Sequence, residues 1–436
     1  MRVVEIVERK RDGAKLSAGE IDRIVLGYAK GEVPDYQMAA FLMAVVWRGM
    51  DDEETAQLTD AMVRSGERLD LSRFGRVVDK HSTGGIGDKV TLVVAPLVAA
   101  CGAPVAKMSG RGLGITGGTL DKLESFRGYR VDLTTRELLA QLERIGIVVT
   151  GQTKELAPAD GLMYALRDQT GTVPAIPLIA SSIMSKKIAA GAHAVVLDVK
   201  VGAGAFMRTL ARAKELARLM VAIGKAHGLE VTAELTAMDA PLGRAVGNAL
   251  EAAEAIATLR GEGPSDLREV ALAAGAEMLF YARRARTRAA GRALLEAAIA
   301  DGGGLAKLRA LVAAQGGDAT MVDDPSRLPR ARRVEELRAE RAAYVARLDA
   351  AGIGLASVRL GAGREKKGDP IDHATGVVLR AKVGDRVAKG QVYAEVHRDD
   401  APGDAEALDL VRRAFSWKSE RVARPKLVLG RLTSSR

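Results

Sequence analysis

Apolar residues between positions 20 and 50 recur at helical spacing. Ile21, Ile24, Val25 and Tyr28 form one stripe and Met38, Phe41, Leu42 and Val45 a second. Gly31 and Pro34 divide the run, which predicts two helices. Residues 51–63 predict a third, with an acidic first turn, so an all-helical block opens the chain and ends near Gly66. The texture then changes. Short β-branched runs at 77–78, 90–94, 105–108, 147–149, 195–199 and 231–235 alternate with helical stretches, the pattern of an α/β domain. Residues 158–190 are helical again, which predicts a discontinuous helical domain facing the sheet across a cleft. Crossings near Gly66, Pro158 and Gly191 are candidate hinges between the two.

Residues 265–315 read as Ala-rich helices and 318–329 as a polar linker. From about Val334 one more helix leads into a region where 376–390 alternates with turn signals, as short hairpins do. That run looks like half of a biotinyl or lipoyl carrier barrel without the hairpin that carries the cofactor, so it is read as structural. The expected class is α/β plus α. It comprises a helical domain (1–66 and 158–192), an α/β domain with a mixed, mainly parallel sheet (67–157 and 193–333), and a C-terminal α+β domain (334–436).

A chain of 436 residues exceeds what one core supports, and 47% hydrophobic against 28% charged residues is globular composition. Aromatics are 3%, so a ligand is expected to be held by hydrogen bonds and charge more than by ring stacking. The formal net charge of +10 is spread through helical segments such as Arg283, Arg284, Arg286, Arg288 and Arg292, mixed with acids. Without an aromatic-studded basic stripe, this favours focusing of an anionic small molecule over nucleic-acid binding. The single cysteine, Cys101, excludes an intrachain disulfide and fits a reducing cytoplasm. Charges recur from Arg2 to Asp12, unlike a signal peptide. The longest uncharged run, between Lys89 and Lys107, is short of the roughly 18–20 residues of a membrane span and is broken by Pro96, Gly102 and Pro104.

Two glycine-rich segments carry the chemistry. Asp79-Lys80-His81-Ser82-Thr83-Gly84-Gly85-Ile86-Gly87-Asp88 follows a strand. Its glycines let N–H groups turn toward an anion, its hydroxyls add donors and Lys80 adds charge. It lacks the Gly-Lys-Ser/Thr ending of a P-loop. The second runs from Lys107-Met108-Ser109-Gly110-Arg111 through Gly117-Gly118-Thr119 to Glu124. Here Gly112, Gly114 and Gly117 match a dinucleotide fingerprint with Asp132 twenty residues beyond Gly112. The stretch 119–126 is too short for the helix that fingerprint needs, and an NAD-dependent oxidoreductase stays a minor alternative. Two anion cradles on neighbouring strands suit one small tetrahedral oxyanion. Asp121 and Glu124 are expected to cap and brace the second loop. His193, His227 and His373 are read as structural, and zinc is not expected because no His/Cys cluster has ligand spacing.

Both segments resemble the thymidine and pyrimidine-nucleoside phosphorylase family. Ser-Gly-Arg-Gly-Leu-x-x-Thr-Gly-Gly-Thr-x-Asp-x-Leu-Glu is its long signature, and the likeness extends to Tyr164-Ala165-Leu166-Arg167-Asp168, Ser185-Lys186-Lys187, Asp198-Val199-Lys200-Val201-Gly202 and Gly361-Ala362-Gly363-Arg364. The resemblance implies a phosphate site at Lys80, Ser82, Thr91, Lys107, Ser109 and Thr119, with inorganic phosphate as co-substrate and no organic cofactor. It implies a base site at Arg167, Ser182 and Lys186, lined by Tyr164 and Leu113, with His81 facing the base. His81, Arg167 and Lys186 are the candidate catalytic residues. It further implies a homodimer formed through the helical domain, which also carries the base site, and a potassium-like cation held at Gly87, Lys89, Leu242, Ala245 and Glu254, mainly by main-chain carbonyls.

Two departures bear on this. Ile115 stands where the family usually has His, and Ala237-Met238 where it commonly has Asp-Met, one acid fewer near the cation site. Lys107, in Lys-Met-Ser, resembles the broad pyrimidine enzymes more than strict thymidine phosphorylases. The expected reaction is therefore phosphorolysis of uridine, thymidine and deoxyuridine. Strict thymidine phosphorolysis, an anthranilate-type phosphoribosyltransferase of the same fold and a non-catalytic nucleotide-binding module remain the alternatives.

Overall fold

The computed structural model describes residues 1–434 apart from 113, 154, 365, 367 and 401. Helices α1 (Val3–Arg11), α2 (Ala18–Ala29), α3 (Asp35–Arg48) and α4 (Asp52–Arg64) bury their apolar stripes against one another. Ser17 and Asp51 cap α2 and α4 in reciprocal boxes with Glu20 and Glu54. Helix α1 occupies the charged stretch that gave no visible periodicity.

Five parallel strands, β1 (Val78–Ser82), β2 (Val105–Met108), β3 (Ile147–Thr150), β4 (Ala194–Val201) and β5 (Glu230–Ala237), lie in the order β5-β4-β1-β2-β3. The strand Val428–Thr433 adds antiparallel to β5 and makes the sheet mixed. The helices between and after them are α5 (Val90–Ala100), α6 (Thr119–Leu123), α7 (Thr135–Ile145), α8 (Pro158–Thr170), α9 (Ile176–Ala189), α10 (Leu210–Ala226) and α11 (Asn248–Leu259). Helix α9 is apolar on two sides. Its Leu178 joins the core of the N-terminal helices, with Ala159, Met163 and Ala175, while Ile183, Met184 and Ile188 pack with β4, β5 and α10. It is the wedge between bundle and sheet. Among the described residues, no helix is long and apolar enough to cross a membrane.

Several sequence expectations are corrected. The run 90–94 is the start of α5, whose residues Val90 to Ala99 are all buried. A fully apolar run carries no period to separate strand from helix. Residues after Val334 form the strand Arg333–Arg338, and the helix begins only at Ala350, capped by Asp349. Long-range pairing with Val392–Arg398 overrides the helix propensity of its Glu, Leu and Arg residues. The strands of the run 376–390 do not pair with each other as short hairpins would. Gly376–Leu379 pairs with Val392–Arg398 and Ala245–Val246, whereas Arg386–Val387 pairs with Ala343–Leu348 in a separate three-stranded sheet. The linker 318–329 contains the helical turns Thr320–Asp323 and Pro325–Arg327.

The three crossings meet at one place. Glu67 N donates to Glu155 O at 2.7 Å and Leu69 N to Ala189 O at 2.8 Å. A Cβ on Gly66 would stand 2.1 Å from Glu155 O, and one on Gly191, at φ +73°, 2.1 Å from Leu69 O. Gly191→Ala is therefore expected to destabilise the protein by at least about 2 kcal/mol, from left-handed strain plus the clash. Gly146→Ala, at φ +72° with open space around its Cβ, isolates the strain alone. Equal shifts of the two urea midpoints would count against the close approach.

Candidate functional site

In an open parallel sheet, ligands bind beyond the carboxyl ends of the strands. At that edge β1 ends in Lys80, His81 and Ser82, β2 in Lys107, and β4 carries Asp198 and Lys200. All eight residues of β4 are buried, so its charges need partners. Ser82 lies opposite Asp198 in the β1–β4 register, and alternation turns Lys80, Ser82, Asp198 and Lys200 toward one face. Lys80 Nζ and Lys200 Nζ stand 3.0 and 2.7 Å from Asp198 Oδ2, and 3.8 and 3.9 Å from Asp88 Oδ2. Burial pushes the Asp88 carboxyl up, but Lys200 and then Lys80 outweigh it and hold it well below the usual carboxylate range.

Asp79 anchors a second group. Lys187 Nζ pairs with it at 2.7 Å and donates to Met108 O at 3.0 Å, while Lys107 Nζ lies 3.9 Å from Asp79 and donates to Met108 O at 3.3 Å. Burial, then the neighbouring Lys187 ammonium, lowers Lys107 to about 7, against the pull of Asp79.

The glycine segments differ in role. In the first, Gly84 N donates to Ser82 Oγ at 3.1 Å and the chain passes directly into α5, with Thr91 buried in its first turn. The second folds on the Asp121 carboxylate, which accepts from Gly112 N at 2.6 Å and Gly118 N at 3.3 Å and pairs with Arg111 and Arg364. A Cβ on Gly118 would lie 2.2 Å from Gly112 N, so these glycines let the loop cross itself. With α6 only five residues long, the dinucleotide reading fails. Ser109 follows β2, its N–H bonded to Thr150 O, and Thr119 opens α6. Lys122, fully buried, ties both segments together through Asp88 O (3.1 Å), Gly117 O (3.1 Å) and Glu251 (3.2 Å). Leu113 lies outside the described residues.

Across the edge, α8 and α9 bring Tyr164, Arg167, Ser182 and Lys186 together. Lys186 Nζ donates to Ser182 Oγ at 2.9 Å, one helical turn back, and to Asp160 Oδ2 at 2.5 Å, and it stands 5.6 Å from the Tyr164 ring centroid. Arg167 is buried and spends three N–H groups on Thr172 O (3.3 Å) and Val173 O (2.7 Å) in the turn after α8 and on Leu178 O (3.0 Å) in the first turn of α9. Two of its five donors have no partner among the described residues. It makes no ion pair with Asp168 among the described residues.

His81 stands between the two groups. Burial, then the ammonium groups of Lys187, Lys107, Lys186 and Lys80, push its imidazole well below the usual range, and its buried Nδ1 has no hydrogen bond among the described residues. It is a neutral imidazole, suited to donating one N–H and unsuited to delivering an imidazolium proton.

The residues expected to hold potassium do not fit a free ion. The oxygens of Leu242, Ala245 and Glu254 converge on the Lys89 ammonium itself. Burial lowers its pKa, but Glu254 and then Glu251 more than compensate and keep it raised.

Sequence reasoning assigned no role to Asp79, Asp160, Lys122, Lys187, Asp198 or Lys200. The signal was a charge inside an apolar run, as in Ala194–Val201, where burial forces pairing.

Models of known families match in three places. The helical bundle domain of the Glycosyl transferase family covers residues 4–66, the a/b domain of that family 75–305, and the Pyrimidine nucleoside phosphorylase C-terminal domain 344–418. A protein named pyrimidine-nucleoside phosphorylase from Geobacillus stearothermophilus is 54% identical over 398 residues, 91% of this chain and 92% of its own length. One of the same name from Staphylococcus aureus strain USA300 is 51% identical over 412 residues, 94% and 95% of the two chains. A solved anthranilate phosphoribosyltransferase from Thermus thermophilus shares the fold, with a TM-score of 0.59 and 22% identity over 71% of this chain and 99% of its own. The chain is thus a pentosyltransferase that belongs to the pyrimidine-nucleoside phosphorylases, within the glycosyl transferase family whose helical-bundle and a/b domains it carries.

Proposed function

We propose that this chain cleaves uridine, thymidine and deoxyuridine with inorganic phosphate, giving the free base and (deoxy)ribose 1-phosphate. The observation that carries the reading is the pairing of Lys80, Lys107 and Lys200 at the sheet edge with Arg167, Ser182 and Lys186 opposite, His81 lying between them. A phosphate oxygen attacks C1′ and the C1′–N1 electron pair leaves with the pyrimidine. Holding the dianion against C1′ removes much of the barrier. The two free N–H groups of Arg167 and the Lys186 ammonium meet the charge that develops on the base. Neutral His81 donates a hydrogen bond to the base, while Ser82, Thr91, Ser109 and Thr119 supply neutral donors to phosphate.

Asp88, which ends the first glycine segment, and Asp198, opposite Ser82, already face Lys80 and Lys200, which disfavours a magnesium–pyrophosphate site and the phosphoribosyltransferase reading. The test is base release from uridine and thymidine without magnesium, with and without phosphate. Uridine kcat/KM more than about a hundredfold below thymidine would favour the strict alternative. No release from any nucleoside would favour a binding module.

Lys107 gives a pH prediction. Its charge is present below about pH 7 and lost as pH rises through that value, so phosphate affinity falls above it. Lys107→Met is expected to raise the phosphate KM by roughly 10–100-fold at low pH, with the variant-to-wild-type ratio declining as pH rises past 7. Taking the ratio cancels the titration of phosphate itself. A ratio flat from acid to alkaline pH would contradict the assignment.

The exposed apolar residues Tyr36, Met43 and Trp47 share α3, and a second copy of the chain is their proposed cover. A monomer mass in light scattering would contradict that dimer. The same reading proposes a role in cytoplasmic nucleoside salvage.

A further inference from the structure

Lys89 is the N-cap residue of α5, immediately after the first glycine segment, and its side chain is fully buried. Its Nζ donates to Leu242 O at 3.0 Å, Ala245 O at 2.8 Å and Glu254 Oε2 at 2.6 Å. An ammonium has three N–H groups, so each is used. Two main-chain carbonyls and one carboxylate converging on one point form the all-oxygen donor set that hard cations select. Here the positive charge at that point belongs to the chain.

The surroundings are built closely around it. A Cβ on Gly87 would lie 2.6 Å from Leu242 O, and one on Gly243 2.3 Å from Glu254 Oε2 and 2.9 Å from Lys89 Nζ. Glu254 also accepts from Arg244 N and Ala245 N. From the other side Lys382 Nζ donates to Gly243 O at 2.6 Å and pairs with Asp266 at 3.1 Å. The 241–245 loop is thus strung between two ammonium groups, and it continues into Ala245–Val246, which pairs with Gly376–Leu379. One buried charge holds the first glycine segment, α11 and the C-terminal sheet together.

We infer that Lys89 is a tethered cation that takes the place of a free monovalent ion, so the protein needs no potassium to hold this junction. The inference rests on these contacts and requires nothing of the reaction. Its test is thermal unfolding of the full-length protein in potassium chloride and in tetramethylammonium chloride at equal ionic strength. The wild type is expected to melt at the same temperature in both salts. Lys89→Ala leaves the oxygens facing a cavity. It is expected to melt roughly 3–5 °C lower in tetramethylammonium, and potassium at about a hundred times its dissociation constant should restore about 3 °C. Lys89→Met fills the space with an apolar chain and should fall without rescue. A wild type stabilised by potassium over tetramethylammonium would overturn the proposal, and this arm stands even if neither variant folds. A Lys89→Ala protein that melts alike in the two salts would overturn it too.

Discussion

Lys80→Ala is expected to lower kcat/KM for phosphate by about two to three orders of magnitude, the loss typical of removing one preorganised donor from a developing or bound anion. Two effects combine. The variant loses an ammonium from the anion side of the edge, and it leaves Asp198 and Asp88 facing a single lysine. Lys200 still stands 2.7 Å from Asp198, so the carboxylate keeps a partner and the fold should survive. The loss should therefore appear in steady-state kinetics with varied phosphate while the melting temperature moves little. Activity within tenfold of wild type would remove Lys80 from the phosphate site.

The second large effect is on Arg167. In Arg167→Ala the carbonyls of Thr172, Val173 and Leu178 lose their donor, at about 1–3 kcal/mol for each that water cannot reach. A destabilisation of about 3 kcal/mol or more is expected in urea unfolding, with kcat/KM for uridine reduced at least about a hundredfold. Arg167→Lys keeps the charge and loses the planar fork. If geometry is what matters, it recovers little, because one ammonium cannot span three carbonyls and a base edge. Recovery to within tenfold would mean that charge alone suffices.

What the sequence made visible follows from period and from local turn chemistry. Strands β2 to β5 and the helices α2 to α4 showed themselves because their apolar residues have a period or a hard boundary. Helix α5 was misread because a run buried all round has none. The strand Arg333–Arg338 was misread because its pairing partner lies some sixty residues away at Val392–Arg398, and no local signal encodes that. At the site, glycine and hydroxyl patterns marked the two loops that meet at the sheet edge, and Ser182 and Lys186 do meet across one helical turn.

The lysine network was not legible. Lys187 stands beside Lys186 with nothing local to mark it as buried, yet it is buried on Asp79. Lys122 had no role in the sequence pattern, yet it links the two glycine segments. Each depends on which distant carboxylate or carbonyl the fold delivers. Lys89 is the sharpest case. The resemblance named these oxygens for a free cation, and the side-chain placement sets the Lys89 ammonium among them.

The central claim is that phosphate, bound at the carboxyl edge of the sheet, is consumed in cleaving the glycosidic bond. Phosphorus NMR of the wild-type protein with uridine and inorganic phosphate, free of magnesium, tests it most directly. Inorganic phosphate should disappear one for one with uracil release, and a sugar 1-phosphate resonance should grow in its place. Uracil released with no loss of inorganic phosphate would contradict the account.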